Sequence, residues 1–145
     1  MNLETAPNLA AVFSPINREL ELVEKKWQEC LLEANNKTIK KLNRLLRVSS
    51  GKRLRPALAI LASGAVLGAL PKRIQSNITC VALGIELLHV ASLIHDDTID
   101  SAALRRNKPT VNSQFGPHIA IAFGDYVYTW ALKLISAVSD SHIFP

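Results

Sequence analysis

The chain has 145 residues, 48% of them hydrophobic, and carries 17 Lys and Arg against 12 Asp and Glu, a formal net charge of +5. That length allows one domain at most, and a charged fraction of 20% argues against a disordered tail or a highly charged nucleic-acid-binding arm. With only 6% aromatic residues the core must be built from Leu, Ile, Val and Ala, which favours helices over a sheet.

The first 20 residues contain Glu4 and Pro7 and no apolar stretch long enough for a signal-peptide core. Ser14-Pro15 reads as an N-cap followed by Pro in the first helical turn. Leu20, Val23, Trp27, Leu31 and Leu32 then recur at helical spacing. Asn35-Asn36 interrupts the pattern, and a second helical segment places Ile39, Leu42, Leu45 and Leu46 on one side before a break at Ser49-Ser50-Gly51.

The next helix is predicted to open near Arg55-Pro56 and to end between Leu67 and Leu70, ahead of Pro71. This is the longest apolar run, and its 14 residues between Pro56 and Pro71 fall short of the roughly 20 that cross a bilayer. From Pro71 or Ile74 to Ile99 runs a helix that is apolar nearly all round and must be covered by neighbours on several sides. Residues 101–117 read as a polar, irregular segment, and a last apolar helix is predicted from Pro117 to Ser139. Cys30 and Cys80 sit in no ligand-like cluster, so reduced thiols in a soluble, cytoplasmic protein are expected.

Three clusters carry chemistry. His95-Asp96-Asp97-Thr98-Ile99-Asp100 is a DDxxD cluster at the end of an apolar helix. Acidic side chains repel when brought together, and a shared divalent cation relieves the repulsion. Asp96 and Asp100, four residues apart, project within about 40° of each other and offer the hard oxygen donors that suit Mg2+. His89 falls on the same stripe. A solvated, frayed helix end would carry the same letters.

Gly51-Lys52-Arg53-Leu54-Arg55-Pro56 closes a stretch from Lys37 to Arg55 with eight basic residues and no acidic one. Lys52 and Arg55, three apart, would project similarly if the turn is helical and could grip a diphosphate. Lys37, Lys40, Lys41 and Arg44 read as an ordinary solvated face. Arg105-Arg106 follows five residues after Asp100; adjacent arginines on an irregular segment point apart and can hold two different anions. Together the clusters specify a place for Mg2+ and two diphosphates beside hydrocarbon walls.

GKRLRP, HDDTID, the following RRxKPT and Gly124-Asp125 resemble, in order and spacing, the trans-isoprenyl diphosphate synthases, or polyprenyl synthetases, over about residues 51–125. Asn107 departs from the Gly usual in that family after the two arginines; a turn with φ > 0 would suit Asn better than most residues. The resemblance implies an all-α, isoprenoid synthase-type helical bundle around a deep central cavity, with residues 1–145 as its N-terminal portion. It also implies Mg2+-dependent condensation of isopentenyl diphosphate with an allylic prenyl diphosphate through an allylic cation.

Carried over by position, Asp96, Asp97 and Asp100 match catalytic aspartates, with Asp96 and Asp100 as metal ligands and Asp97 supporting them. Lys52, Arg55, His89 and Arg106 match isopentenyl diphosphate ligands, and Arg105 matches the allylic diphosphate ligand. Leu88, Ala91 and Ser92 match the positions that set chain length. The family's short-chain members carry a bulky aromatic at the position of Ala91 or Ser92, so their small side chains imply a product longer than farnesyl diphosphate. The family's second aspartate-rich motif has no counterpart after Asp125.

The chain is therefore expected to need a missing C-terminal half or another subunit, as a homodimer or heteromer, without nucleic acid and without a transmembrane span. Apolar positions on the helices at 56–70, 76–95 and 117–138 would then lack part of their cover. Two other readings are a noncatalytic regulatory subunit of a heteromeric synthase and a helical anion- or nucleic-acid-binding module. Intact aspartates and arginines disfavour both.

Overall fold

The computed structural model describes residues 9–33, 36–48, 52–68 and 72–138. Its elements in chain order are α1 (Leu9–Phe13), a 3-10 turn (Ser14–Ile16), α2 (Asn17–Leu32), α3 (Lys37–Val48), α4 (Leu54–Leu67), α5 (Lys72–Ile99), β1 (Leu104–Arg105), β2 (Lys108–Pro109), α6 (Val111–Phe115) and α7 (Pro117–Ser136). The expected all-α class holds: among the described residues the two strands are a two-residue hairpin. The predicted breaks at Asn35 and at Ser49-Ser50-Gly51, the stretch from Pro71 back to Leu70, and the residues from Ser139 onward lie outside the described residues.

The entry into α2 differs from expectation. Ser14 caps nothing; its hydroxyl donates to the Ala11 carbonyl at 2.9 Å, and the 3-10 turn joins α1 to α2. In α2, Val23, Trp27 and Leu31 are buried, whereas the adjacent Leu32 is 67% exposed because it stands about 100° further round the helix. Asn36 starts α3, its Oδ1 accepting from the Thr38 amide at 2.7 Å. Leu42 and Leu46 are buried and Ile39 and Leu45 half-buried, as the spacing predicts. Buried Asn43 donates to the Leu31 carbonyl at 2.9 Å and ties α3 to the end of α2. Lys37, Lys40, Lys41 and Arg44 face solvent.

The organising element is α5. Ile78, Ala82, Leu83, Leu87, Ala91 and Ile94 are buried along it, and it packs on α7, α4, α2 and α6. By length and composition Gln75–Ile99 could also cross a membrane, but half of that span is buried against the neighbouring helices. Facing it, α7 contributes Ala120, Phe123, Val127 and Ala131, and α4 contributes Ala57 and Ile60. Cover is incomplete on two of the three helices where this was expected: Leu58 and Val66 on α4 are 66% and 83% exposed, and Ile121, Tyr128 and Leu132 on α7 are exposed as well, whereas residues 76–95 of α5 expose no large hydrophobic side chain because neighbouring helices pack along them.

Residues 101–117 are more ordered than the polar composition suggests. Arg106 and Asn107 have φ of 50° and 62°, so the 104–109 hairpin turns on two left-handed residues, the conformation foreseen for Asn107. Thr110 then caps α6, its hydroxyl oxygen accepting from the Ser113 amide at 3.0 Å and donating to the Ala102 carbonyl at 2.7 Å.

Candidate active site

The C-terminal end of α5 carries the aspartates. Asp96 and Asp100 are both exposed, one helical turn apart, with the Asp100 amide bonded to the Asp96 carbonyl at 2.8 Å. Neither carboxylate forms an ion pair or side-chain hydrogen bond among the described residues. Asp97, on the inward side, is buried and receives Arg105 Nε on both oxygens at 2.9 Å. That hydrogen bond raises the Arg105 pKa, with further attraction from Asp97, Asp96 and Asp100. The contact fastens the hairpin to α5 and leaves the two terminal amino groups of the guanidinium outside it. Asp97 thus has its carboxylate engaged by Arg105 rather than free.

His89 lies two turns before Asp96 and is half-buried. Burial lowers its pKa, and repulsion from Arg55, then Arg105 and Arg106, lowers it further against the opposing pull of Glu86. Three of the predicted anion ligands, Arg55 from α4 and Arg105 and Arg106 from the hairpin, therefore each stand within electrostatic reach of a fourth, His89. Lys52 is exposed at the mouth of α4.

The helical projection of Lys52 and Arg55 does not hold. Arg53 has φ of 50° and ψ of 35°, so the chain reverses there and helical geometry begins at Leu54. Lys52 and Arg55 both remain exposed, but by a left-handed turn rather than by sharing a helix face. The predicted role of Gly51 falls outside the described residues.

Two parts of the site escaped sequence reasoning. Arg53 turns inward: its guanidinium contacts Glu24 Oε2 at 3.1 Å and Glu86 Oε1 at 3.4 Å, and lies 4.4 Å from the Trp27 ring centroid. Those partners are distant in sequence, and no local signal distinguishes Arg53 from Lys52 or Arg55. His95, beside the aspartates, packs on α7. Its Nε2 lies 3.3 Å from the Ile121 carbonyl oxygen and 3.4 Å from Asp125 Oδ1, with the ring against the bare backbone of Gly124. The adjacent Gly124-Asp125 was legible only as part of a resemblance.

The chain-length positions separate. Ser92 is exposed and Leu88 half-buried, on the face that leads to Asp96, and Ser92 Oγ donates to the His89 carbonyl at 2.8 Å. Ala91 is 1% exposed and belongs to the helix-packing face with Leu87 and Ile94. In this chain Ala91 permits close packing and does not line a shared surface with Ser92, because adjacent helical residues stand about 100° apart.

A divalent cation fits the donor chemistry at Asp96 and Asp100. Among the described residues no group of three or more His, Cys, Asp or Glu side chains is placed to hold a metal. Mg2+ commonly takes only one or two carboxylates and completes its shell with water and substrate phosphate. Two open depressions, of about 250 Å³ beside Asn43 and about 380 Å³ beside Ile16 and Ile60, lie away from the acidic end of α5.

Comparison with known proteins agrees with the residues. A prenyl transferase of Synechocystis is 36% identical over 118 residues, which cover 81% of this chain and 36% of the relative. The octaprenyl diphosphate synthase of Escherichia coli is 35% identical over 113 residues, covering 76% of this chain and 33% of that protein. A polyprenyl synthase of Caulobacter crescentus, solved with calcium and isoprenyl diphosphate, shares the fold with a TM-score of 0.78 at 23% identity, over 92% of this chain and 39% of that one. The chain thus spans about a third of the length of these curated relatives, which fits the expected N-terminal part. The polyprenyl synthetase family profile matches residues 36–144, and the chain belongs to that family.

Proposed function

We propose that this chain supplies the first-aspartate half of a trans-polyprenyl diphosphate synthase, which condenses isopentenyl diphosphate with an allylic prenyl diphosphate. One observation carries the reading. The Asp97–Arg105 clamp brings the arginine hairpin to the acidic end of α5, where Arg55, Arg105 and Arg106 each act electrostatically on His89. An acidic pair with several cations in electrostatic reach, at the end of an apolar helix, suits a diphosphate ester with a hydrocarbon tail.

Asp96 and Asp100 would hold Mg2+, which when bound supplies positive charge to the leaving diphosphate. Arg105, oriented by Asp97, presents its free amino groups to the allylic diphosphate. Lys52, Arg55, His89 and Arg106 hold the diphosphate of isopentenyl diphosphate. The exposed apolar positions of α4 and α7 await cover from the rest of the synthase, which also completes the cavity. The exposed, small Ser92 before Asp96 supports a medium or long product. Cys30 and Cys80, both free thiols, support a cytoplasmic setting.

Incorporation of radiolabelled isopentenyl diphosphate with Mg2+ tests the reading, on this chain alone and mixed with a candidate C-terminal half. Product in the mixture, abolished by Asp96→Ala, is expected. Full activity of the chain alone would refute its need for a second half, and an Asp96→Ala variant of normal activity would refute the site.

A further inference from the structure

Arg53 stands between the two outward cations Lys52 and Arg55 and does what neither does. We propose that Arg53 is a positioning residue: its inward guanidinium, held by Glu24, Glu86 and Trp27, fixes the turn that presents Lys52 and Arg55 to a diphosphate beside His89. The proposal rests on the diphosphate reading given above.

The backbone at Arg53 is left-handed, a conformation that is sterically costly for an L-residue and persists only where its surroundings impose it. The surroundings here are specific. Nε and Nη2 donate to Glu24 Oε2 at 3.3 and 3.1 Å, Nη1 donates to Glu86 Oε1 at 3.4 Å, and the guanidinium covers the buried Trp27 ring. With those donors engaged and its side chain only 17% exposed, Arg53 is poorly placed to be a ligand.

The network ties the start of α4 to α2 through Glu24 and Trp27, and to α5 through Glu86, one turn before His89. The Arg53 carbonyl also accepts the Ala57 amide at 3.0 Å, the first bond of α4. Lys52 and Arg55 make no side-chain hydrogen bond or ion pair among the described residues, so their placement depends on the backbone that Arg53 holds. Glu86 is 6% exposed, and its Oε2 has no partner among the described residues. Arg53 is therefore also the counter-charge for a buried carboxylate.

The test is calorimetric titration of inorganic pyrophosphate with Mg2+ into the full chain. Removing Arg53 alone would strand the Glu86 charge, so the informative variant is Arg53→Met with Glu86→Gln, which leaves the net charge unchanged. It is expected to keep the wild-type thermal midpoint and to bind pyrophosphate about tenfold more weakly, through lost preorganisation. Wild-type affinity in this variant, while Lys52→Met and Arg55→Met weaken binding, would overturn the positioning role. So would a loss of affinity that appears only with a parallel fall in the midpoint. If Lys52→Met and Arg55→Met bind as the wild type does, the diphosphate reading itself fails, and the proposal with it. Should the double variant not fold, Glu24→Gln, at a side chain 46% exposed, carries the same comparison. About threefold weaker binding then supports the role, and unchanged binding overturns it.

Discussion

Arg105 donates through Nε to both carboxylate oxygens of Asp97 at 2.9 Å, and this pair fastens the 104–109 hairpin to the acidic end of α5. The middle aspartate of the cluster thereby differs from Asp96 and Asp100, whose carboxylates have no side-chain partner among the described residues. Asp97→Asn keeps the shape but replaces one acceptor by an amide and removes the charge that Arg105 faces. Because Arg105 is partly exposed, the expected loss of stability is about 1–2 kcal/mol, read from urea unfolding. Asp96→Asn, at a carboxylate without a side-chain partner among the described residues, should stay within about 0.5 kcal/mol of the wild type while weakening Mg2+-dependent pyrophosphate binding. Equal destabilisation by the two changes would contradict the division of roles.

The contact of His95 with Gly124 yields a second prediction. A Cβ at residue 124 would overlap His95 Nε2, and the ring cannot move without leaving the Ile121 carbonyl. Gly124→Ala is expected to destabilise by about 1–3 kcal/mol despite its better helix propensity. Thermal unfolding measures this. A stabilised Gly124→Ala protein would show that the ring has room to shift.

How much of this was legible beforehand differs from one residue to the next. The helices follow from apolar spacing, because burying Val23, Trp27 and Leu31, or Leu83, Leu87 and Ala91, requires a period near 3.6. The DDxxD cluster and Arg105-Arg106 are local strings, and local strings can be read. What could not be read depends on tertiary neighbours. Arg53 sits among basic residues much like itself, and only Glu24 and Glu86, 29 and 33 positions away, draw it inward. Likewise Ala91 and Ser92 are both small, and packing alone decides that one is in the core and the other at the surface.

The pH dependence follows from His89. Burial, with repulsion from Arg55, Arg105 and Arg106, lowers its folded pKa below the ordinary 6.5. A depressed histidine pKa means that the unfolded chain takes the proton more readily. Its share of stability is complete above pH 6.5, declines as pH falls below that value, and levels off once the folded form is also protonated. A bound diphosphate reverses the local balance, because its negative charge favours the imidazolium. Pyrophosphate binding should therefore draw protons onto His89 as the pH falls below 6.5, a contribution lost in His89→Gln. Titration in buffers of different ionisation enthalpy reads that uptake directly, and identical uptake by the variant would exclude His89 as its source.

Residues 91 and 92 separate core packing from control of product length. Ala91→Phe must force a ring into the face that α5 packs with Leu87 and Ile94, and overpacking there is expected to cost about 1–3 kcal/mol or more. Ser92→Phe, at an exposed position one turn before Asp96, should change stability by no more than about 0.5 kcal/mol. In an assembly active with a second half, the ring at residue 92 would stand in the path of the growing chain and shorten the products. Chromatography of the dephosphorylated products, beside the unfolding curves, distinguishes the two effects. A Ser92→Phe assembly that makes the wild-type chain length would remove Ser92 from the pocket floor, and an Ala91→Phe protein of undiminished stability would show that the α5 core has space for the ring.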